Sequence, residues 1–128
     1  MKIVSLIARL LLGVTFLIFG LNGFLHFIPM QLPTGLAGQF LIALSASHYM
    51  AVVYLFQLIP AILLLINRYV PLALVLLAPV IVNILLFHVF MSPAGLPLII
   101  LVSVFWILTA MSVRPVFAGL LRQEVTVG

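Results

Sequence analysis

The sequence predicts an all-α integral membrane protein: a four-helix bundle with a short extra helix in its first outer connection. Three observations lead there. Of the 128 residues, 67% are hydrophobic and 5% charged, whereas a soluble domain carries roughly a quarter charged residues. The mean hydropathy is +1.54, which is more apolar surface than a water-soluble core of this size can hide. The apolar residues also fall into four runs, separated by short breaks that contain Pro or Gly. A hydrocarbon core about 30 Å thick needs roughly 20 residues of helix to cross it, and each run approaches that length. The chain is expected to form one transmembrane domain over residues 1–128.

The first run, residues 3–28, is too long for a typical signal-peptide core and is interrupted near its start by Arg9. It is therefore expected to be a span and not a cleaved leader. Gly13, Gly20 and Gly23 would let a neighbouring backbone approach it closely. The connection that follows, residues 29–48, is long for a simple loop. Its central stretch GLAGQFLIALSAS, residues 35–47, is helix-like but too short to cross a bilayer. A short helix lying on or dipping into the outer face is expected there, with an ordered loop as the alternative.

The second run covers residues 49–66 and ends at NRYVP, and the third covers residues 71–90 and ends near SPAG. The fourth covers residues 96–113. Pro71 and Pro97 suit a helical first turn, where the missing N–H does no harm. Pro60 and Pro79 fall inside their runs and are expected to kink them.

All five basic residues fall at one end of this arrangement: Lys2 and Arg9, Arg68, then Arg114 and Arg122. The opposite connections hold none. The positive-inside rule then places both termini in the cytoplasm. Arg9, near the inner end of its helix, is expected to snorkel to the headgroups. No basic patch stands apart from a membrane end, so nucleic acid is excluded as a partner. The expected surroundings are the lipid bilayer and, given the large lipid-facing area of so small a bundle, further copies of the chain.

The same composition excludes several chemistries. The only acidic residue, Glu124, lies in the tail. The spans therefore offer no carboxylate proton relay and no carboxylate–histidine di-metal site. With no cysteine there is no thiol redox chemistry and no thiolate metal site. Two histidines on different helices could ligate a haem, but nothing else marks a haem pocket. No metal site and no catalytic residue is assigned.

What remains is a set of buried polar side chains. Asn22 and His26 are one turn apart on the first span, and Tyr54 and Gln57 are three apart on the second. On the third, Asn83 and His88 are separated by about 140° around the helix, so they share a face only loosely. At 1.5 Å per residue, Asn22 lies roughly 9 Å deep, Asn83 roughly 12 Å and Gln57 roughly 13 Å from the outer helix ends. His26 and His88 sit near the outer boundary, with His48 beyond. Asn22, His26, Tyr54, Gln57, Asn83 and His88 are therefore the candidate ligand contacts. The same groups would equally serve as hydrogen bonds between packed helices.

Two segments carry a family resemblance. ARLLLGVTFLIFGLNGFLHFIP, residues 8–29, resembles the glycine-spaced opening helix of the DoxX-like membrane proteins, with its G-x-N-G ending. RYVPLALVLLAPVIVNILLFHVF, residues 68–90, resembles their third span, with its R-x-x-P-L opening and V-N-I-x-x-F-H close. With the four-span layout, the resemblance covers essentially the whole chain. It implies a four-helix inner-membrane protein. Some members of the family form the membrane part of a thiosulfate:quinone oxidoreductase, support redox-enzyme maturation or join oxidative-stress complexes, and others act as assembly factors. A departure lies in the second span, where many members carry a lysine and a glutamate in a K-x-x-E-like arrangement. Here YLFQLIP puts Tyr54 and Gln57 at those places.

Two functional readings follow. One is a quinone-binding, redox-associated membrane subunit with a redox-protein partner. In it His26 or His88 would hydrogen-bond a quinone carbonyl, and Asn22, Gln57 and Asn83 would orient the ring. The other is a non-catalytic scaffold or assembly factor in which the polar cluster only fixes the bundle. In neither is the chain expected to be catalytic alone.

Overall fold

The structure is a computed structural model that describes residues 2–124. Every regular element among them is helical. Four long helices, α1 (Lys2–Leu25), α3 (Tyr49–Leu65), α4 (Val70–Phe90) and α5 (Leu96–Ser112), are joined by tight connections. A shorter helix, α2 (Gly35–Ala46), precedes α3, and a one-turn helix, α6 (Arg114–Ala118), follows α5. Single 3₁₀ turns at Pro93–Gly95 and Gly119–Leu121 lead into α5 and out of α6.

The helices end where the backbone leaves the right-handed region. His26 (φ 54°) closes α1, His48 (φ 63°) separates α2 from α3, and Asn67 (φ 55°) and Tyr69 (φ 52°) turn α3 into α4. Asn and His are among the non-glycine residues that best tolerate this conformation. The helix expected to reach Ile28 therefore stops at Leu25. Pro60 and Pro79 lie inside α3 and α4, and both helices continue through them unbroken.

Three helical stretches are long and apolar enough to cross a membrane: Lys2–Leu25, Val70–Phe90, and Pro93–Ser112, which counts the 3₁₀ turn. The fourth is different. At 17 residues, α3 is about 26 Å long, short of a typical hydrocarbon core. It reaches span length only together with α2, across an 86° bend. Ser47 and His48, with His48 left-handed, make that elbow.

Neighbouring long helices run antiparallel. The three glycines of α1 all face α3: Gly13 meets Leu65 and Ala61, Gly20 meets Leu58 and Gly23 meets Tyr54. The residue numbers rise on one helix as they fall on the other, which fixes the register. Trp106 of α5 donates to the Leu74 carbonyl of α4 at 3.0 Å, tying that pair. The Arg9 guanidinium donates to the Leu64 carbonyl. This cation at the C-terminal end of α3 adds a second bond to a carbonyl that already accepts from the Asn67 N–H at 3.3 Å. The side chain thus caps α3, where the sequence suggested a free reach to headgroups.

The most tightly enclosed part of the core lies toward the end that carries the basic residues. Leu12, Ala61, Leu64, Ala73, Leu74 and Leu77 are fully enclosed there, with Phe16 and Val102 beside them. The outward faces of the long helices carry Ile7, Val14, Leu55, Ile62, Val75, Leu86, Leu101 and Ile107, all exposed. Contiguous apolar surface of that extent marks contact with something other than water.

Candidate functional site

At the opposite end the helices part around a cavity of about 700 Å³. Its walls are the last turns of α1, the first half of α3, the end of α4 and the start of α5. Leu41 and Ser45 of α2, together with the connection from Ile28 to Pro33, complete them. The lining includes no Lys, Arg, Asp or Glu, and its titratable side chains are His26, Tyr54 and His88.

Each polar group has a definable hydrogen-bonding state. Asn22 is 7% exposed, and its Oδ1 accepts from the Ile28 N–H at 2.7 Å. That bond folds the chain back over the end of α1 and brings the 28–33 segment to the cavity. The Asn22 amide nitrogen donates to no described residue, which leaves it a donor toward the space. Gln57 is 6% exposed and its side-chain amide makes no hydrogen bond to any described residue. Neither of its polar atoms is sealed in protein, so both open to the cavity. With no partner among the described residues for either atom, the amide is free to hydrogen-bond whatever occupies the cavity.

His88 is oriented by its own helix. Its Nδ1 lies 2.8 Å from the Ile84 carbonyl. A carbonyl can only accept, so Nδ1 carries the proton and Nε2 of the neutral ring is an acceptor. The ring lies against the Gly95 backbone, where a β-carbon would come within 2.2 Å of Nε2. Tyr54 covers Gly23 and packs edge-on against Phe24, with centroids 5.7 Å apart, and its hydroxyl is unpaired among the described residues. His26 is exposed and lines the cavity where the chain leaves α1.

Five of the six candidate contacts are thus brought together: Asn22, His26, Tyr54, Gln57 and His88. Asn83 is a correction. It is exposed, does not line the cavity, and its amide nitrogen donates to the Pro79 carbonyl on its own helix at 2.8 Å. The depth estimate set it level with Asn22 and Gln57 and outweighed the loosely shared face with His88. With His88 turned inward, a residue about 140° away around α4 faces out. His48 is also exposed and forms the α2–α3 elbow, away from the cavity lining.

Sequence reasoning missed Thr15, Ser45 and Gly95. Thr15 lies two turns before Asn22 on the same face, a spacing that marks it as a neighbour. Gly95 had no such signal, since its role depends on how α4 and α5 meet.

The fold and site define an all-helical, strongly apolar chain with a neutral, partly polar cavity at one end. Comparison with known protein families, characterised proteins and solved structures finds no match to this chain.

Proposed function

We propose that the chain is a small membrane protein of the DoxX-like type, a four-helix bundle whose outer-end cavity holds a quinone for a redox-protein partner. The basic end faces the cytoplasm, with both termini, and α2 lies in the outer interface as a cap over the cavity. The bend between α2 and α3 suits this placement: α3 crosses most of the hydrocarbon, and the elbow at His48 marks the boundary with headgroups.

The single observation that carries the ligand is Gln57, buried and unpaired against an open space. A volume of about 700 Å³ falls within the range of small-molecule sites, which are mostly apolar with a few convergent polar groups. A lining without formal charge suits a neutral ligand. An aromatic ring with oxygens at its edge satisfies both the apolar walls and the amides of Asn22 and Gln57. A purely structural cluster would instead close its hydrogen bonds within the protein, as Asn83, Ser103 and Thr109 do on their own helices.

The test is to extract the protein in mild detergent and analyse the organic extract for quinones. A quinone recovered with the wild type and lost with Gln57→Leu supports the reading. A scaffold without a ligand would yield none and would take up none when a short-tailed benzoquinone is added.

A further inference from the structure

We propose, building on that reading, that the cavity takes the reduced, dihydroxy form of its ring ligand in preference to the oxidised, dicarbonyl form. The argument is an inventory of donors and acceptors. The oxidised ring presents only acceptors, whereas each hydroxyl of the reduced ring both donates and accepts.

Asn22 offers N–H donors, its oxygen being engaged by Ile28. Gln57 offers a donor and an acceptor, and both are free. As a neutral ring His88 offers only the Nε2 lone pair, because its Nδ1–H already donates to the Ile84 carbonyl. With the oxidised ring, a carbonyl can accept from Asn22 or Gln57, but Nε2 of His88 and Oε1 of Gln57 face oxygens that cannot donate. Buried acceptors left unpaired oppose binding. With the reduced ring, a hydroxyl donates to His88 Nε2 while an oxygen accepts from the amides. The Tyr54 hydroxyl can serve either form, so it does not discriminate.

The preference acts on the ligand's chemistry. Quinone takes up two electrons and two protons to become the dihydroxy form. Tighter binding of that product makes the bound quinone easier to reduce. A tenfold preference corresponds to a midpoint potential about 30 mV more positive for a two-electron couple.

The experiment uses the full chain in detergent or nanodiscs with a decyl-substituted benzoquinone. Affinity is measured for the oxidised form, and anaerobically for the form reduced with dithionite. The reduced form is expected to bind about tenfold more tightly, the effect of one satisfied rather than orphaned acceptor. His88→Phe keeps a ring but removes Nε2 and should weaken the reduced form alone, whereas Gln57→Leu should weaken both. Equal affinities, or tighter binding of the oxidised form, overturn the preference and leave the quinone reading standing. Binding of neither form overturns the reading itself. The wild-type ratio decides the matter even where a variant fails to fold.

Discussion

The ring of Tyr54 lies directly on the backbone of Gly23, so close that a β-carbon there would meet three ring atoms at 2.4 to 2.5 Å. This contact brings α1 and α3 together at the level of the cavity and stands Tyr54 beside Asn22 and Gln57. Alanine at Gly23 must push the ring aside or separate the helices. Gly23→Ala is expected to cost about 1–3 kcal/mol, read as a lower unfolding temperature in detergent. Gly119→Ala serves as the control, since nothing lies within 4 Å of its added carbon. Equal melting of the two variants would mean that α1 and α3 do not meet at Gly23.

Asn22 makes a second, separable contribution. Its Oδ1 holds the Ile28 N–H, and that bond is what turns the chain back across the cavity. In Asn22→Leu the amide of Ile28 loses its partner, at a cost of about 1–3 kcal/mol if it stays buried. The segment is expected to open instead. Hydrogen exchange at Ile28 should then accelerate while exchange across Ala61 and Leu64 in the core stays slow. Unchanged protection at Ile28 would show that its amide is held by something other than Asn22.

How far the site could be read in advance depended on which helix each residue occupied. Asn22 with Gln57 was legible because polar amides deep in apolar runs have few places to go, and glycines 13, 20 and 23 announce the face that packs. The helix at Gly35–Ala46 was legible from its composition, although its 86° angle to α3 was not. That angle rests on the left-handed backbone of His48, and nothing in the residues around it demands that conformation. Asn83 misled because its depth along the axis was given more weight than its rotation about it. The 140° separation from His88 already held the answer.

The position of Asn83 yields its own prediction. Its amide nitrogen bonds within α4 and bridges to no other helix, so removing it costs no contact between helices. Asn83→Leu is expected to change stability by no more than about 0.5 kcal/mol, as for other exposed sites away from special features. In lipid it should be neutral or slightly stabilising. A marked drop in unfolding temperature would mean that the side chain meets a partner, and a second copy of the chain would then be the first thing to look for by crosslinking.

The last prediction concerns which way round the protein sits. Arg9 reaches the Leu64 carbonyl at the end of α3, and Lys2 shares a hollow with Arg114 where α5 ends. Arg68 lies in the turn between α3 and α4, at that same end. The basic residues are therefore gathered by the antiparallel packing, and the cavity lies at the other pole. Translocating that cluster would be opposed by the charge bias that orients membrane helices. On the proposed topology, Gln39 of α2 faces the exterior and Gln123, near the C-terminus, faces the cytoplasm. The chain has no cysteine, so single introduced thiols report without background, and both glutamines are exposed. Gln39→Cys should react with a membrane-impermeant maleimide in intact cells, and Gln123→Cys only after the membrane is permeabilised. The reverse pattern would turn the protein over, move the cavity to the cytoplasmic leaflet and place the proposed ligand within reach of a cytoplasmic partner instead.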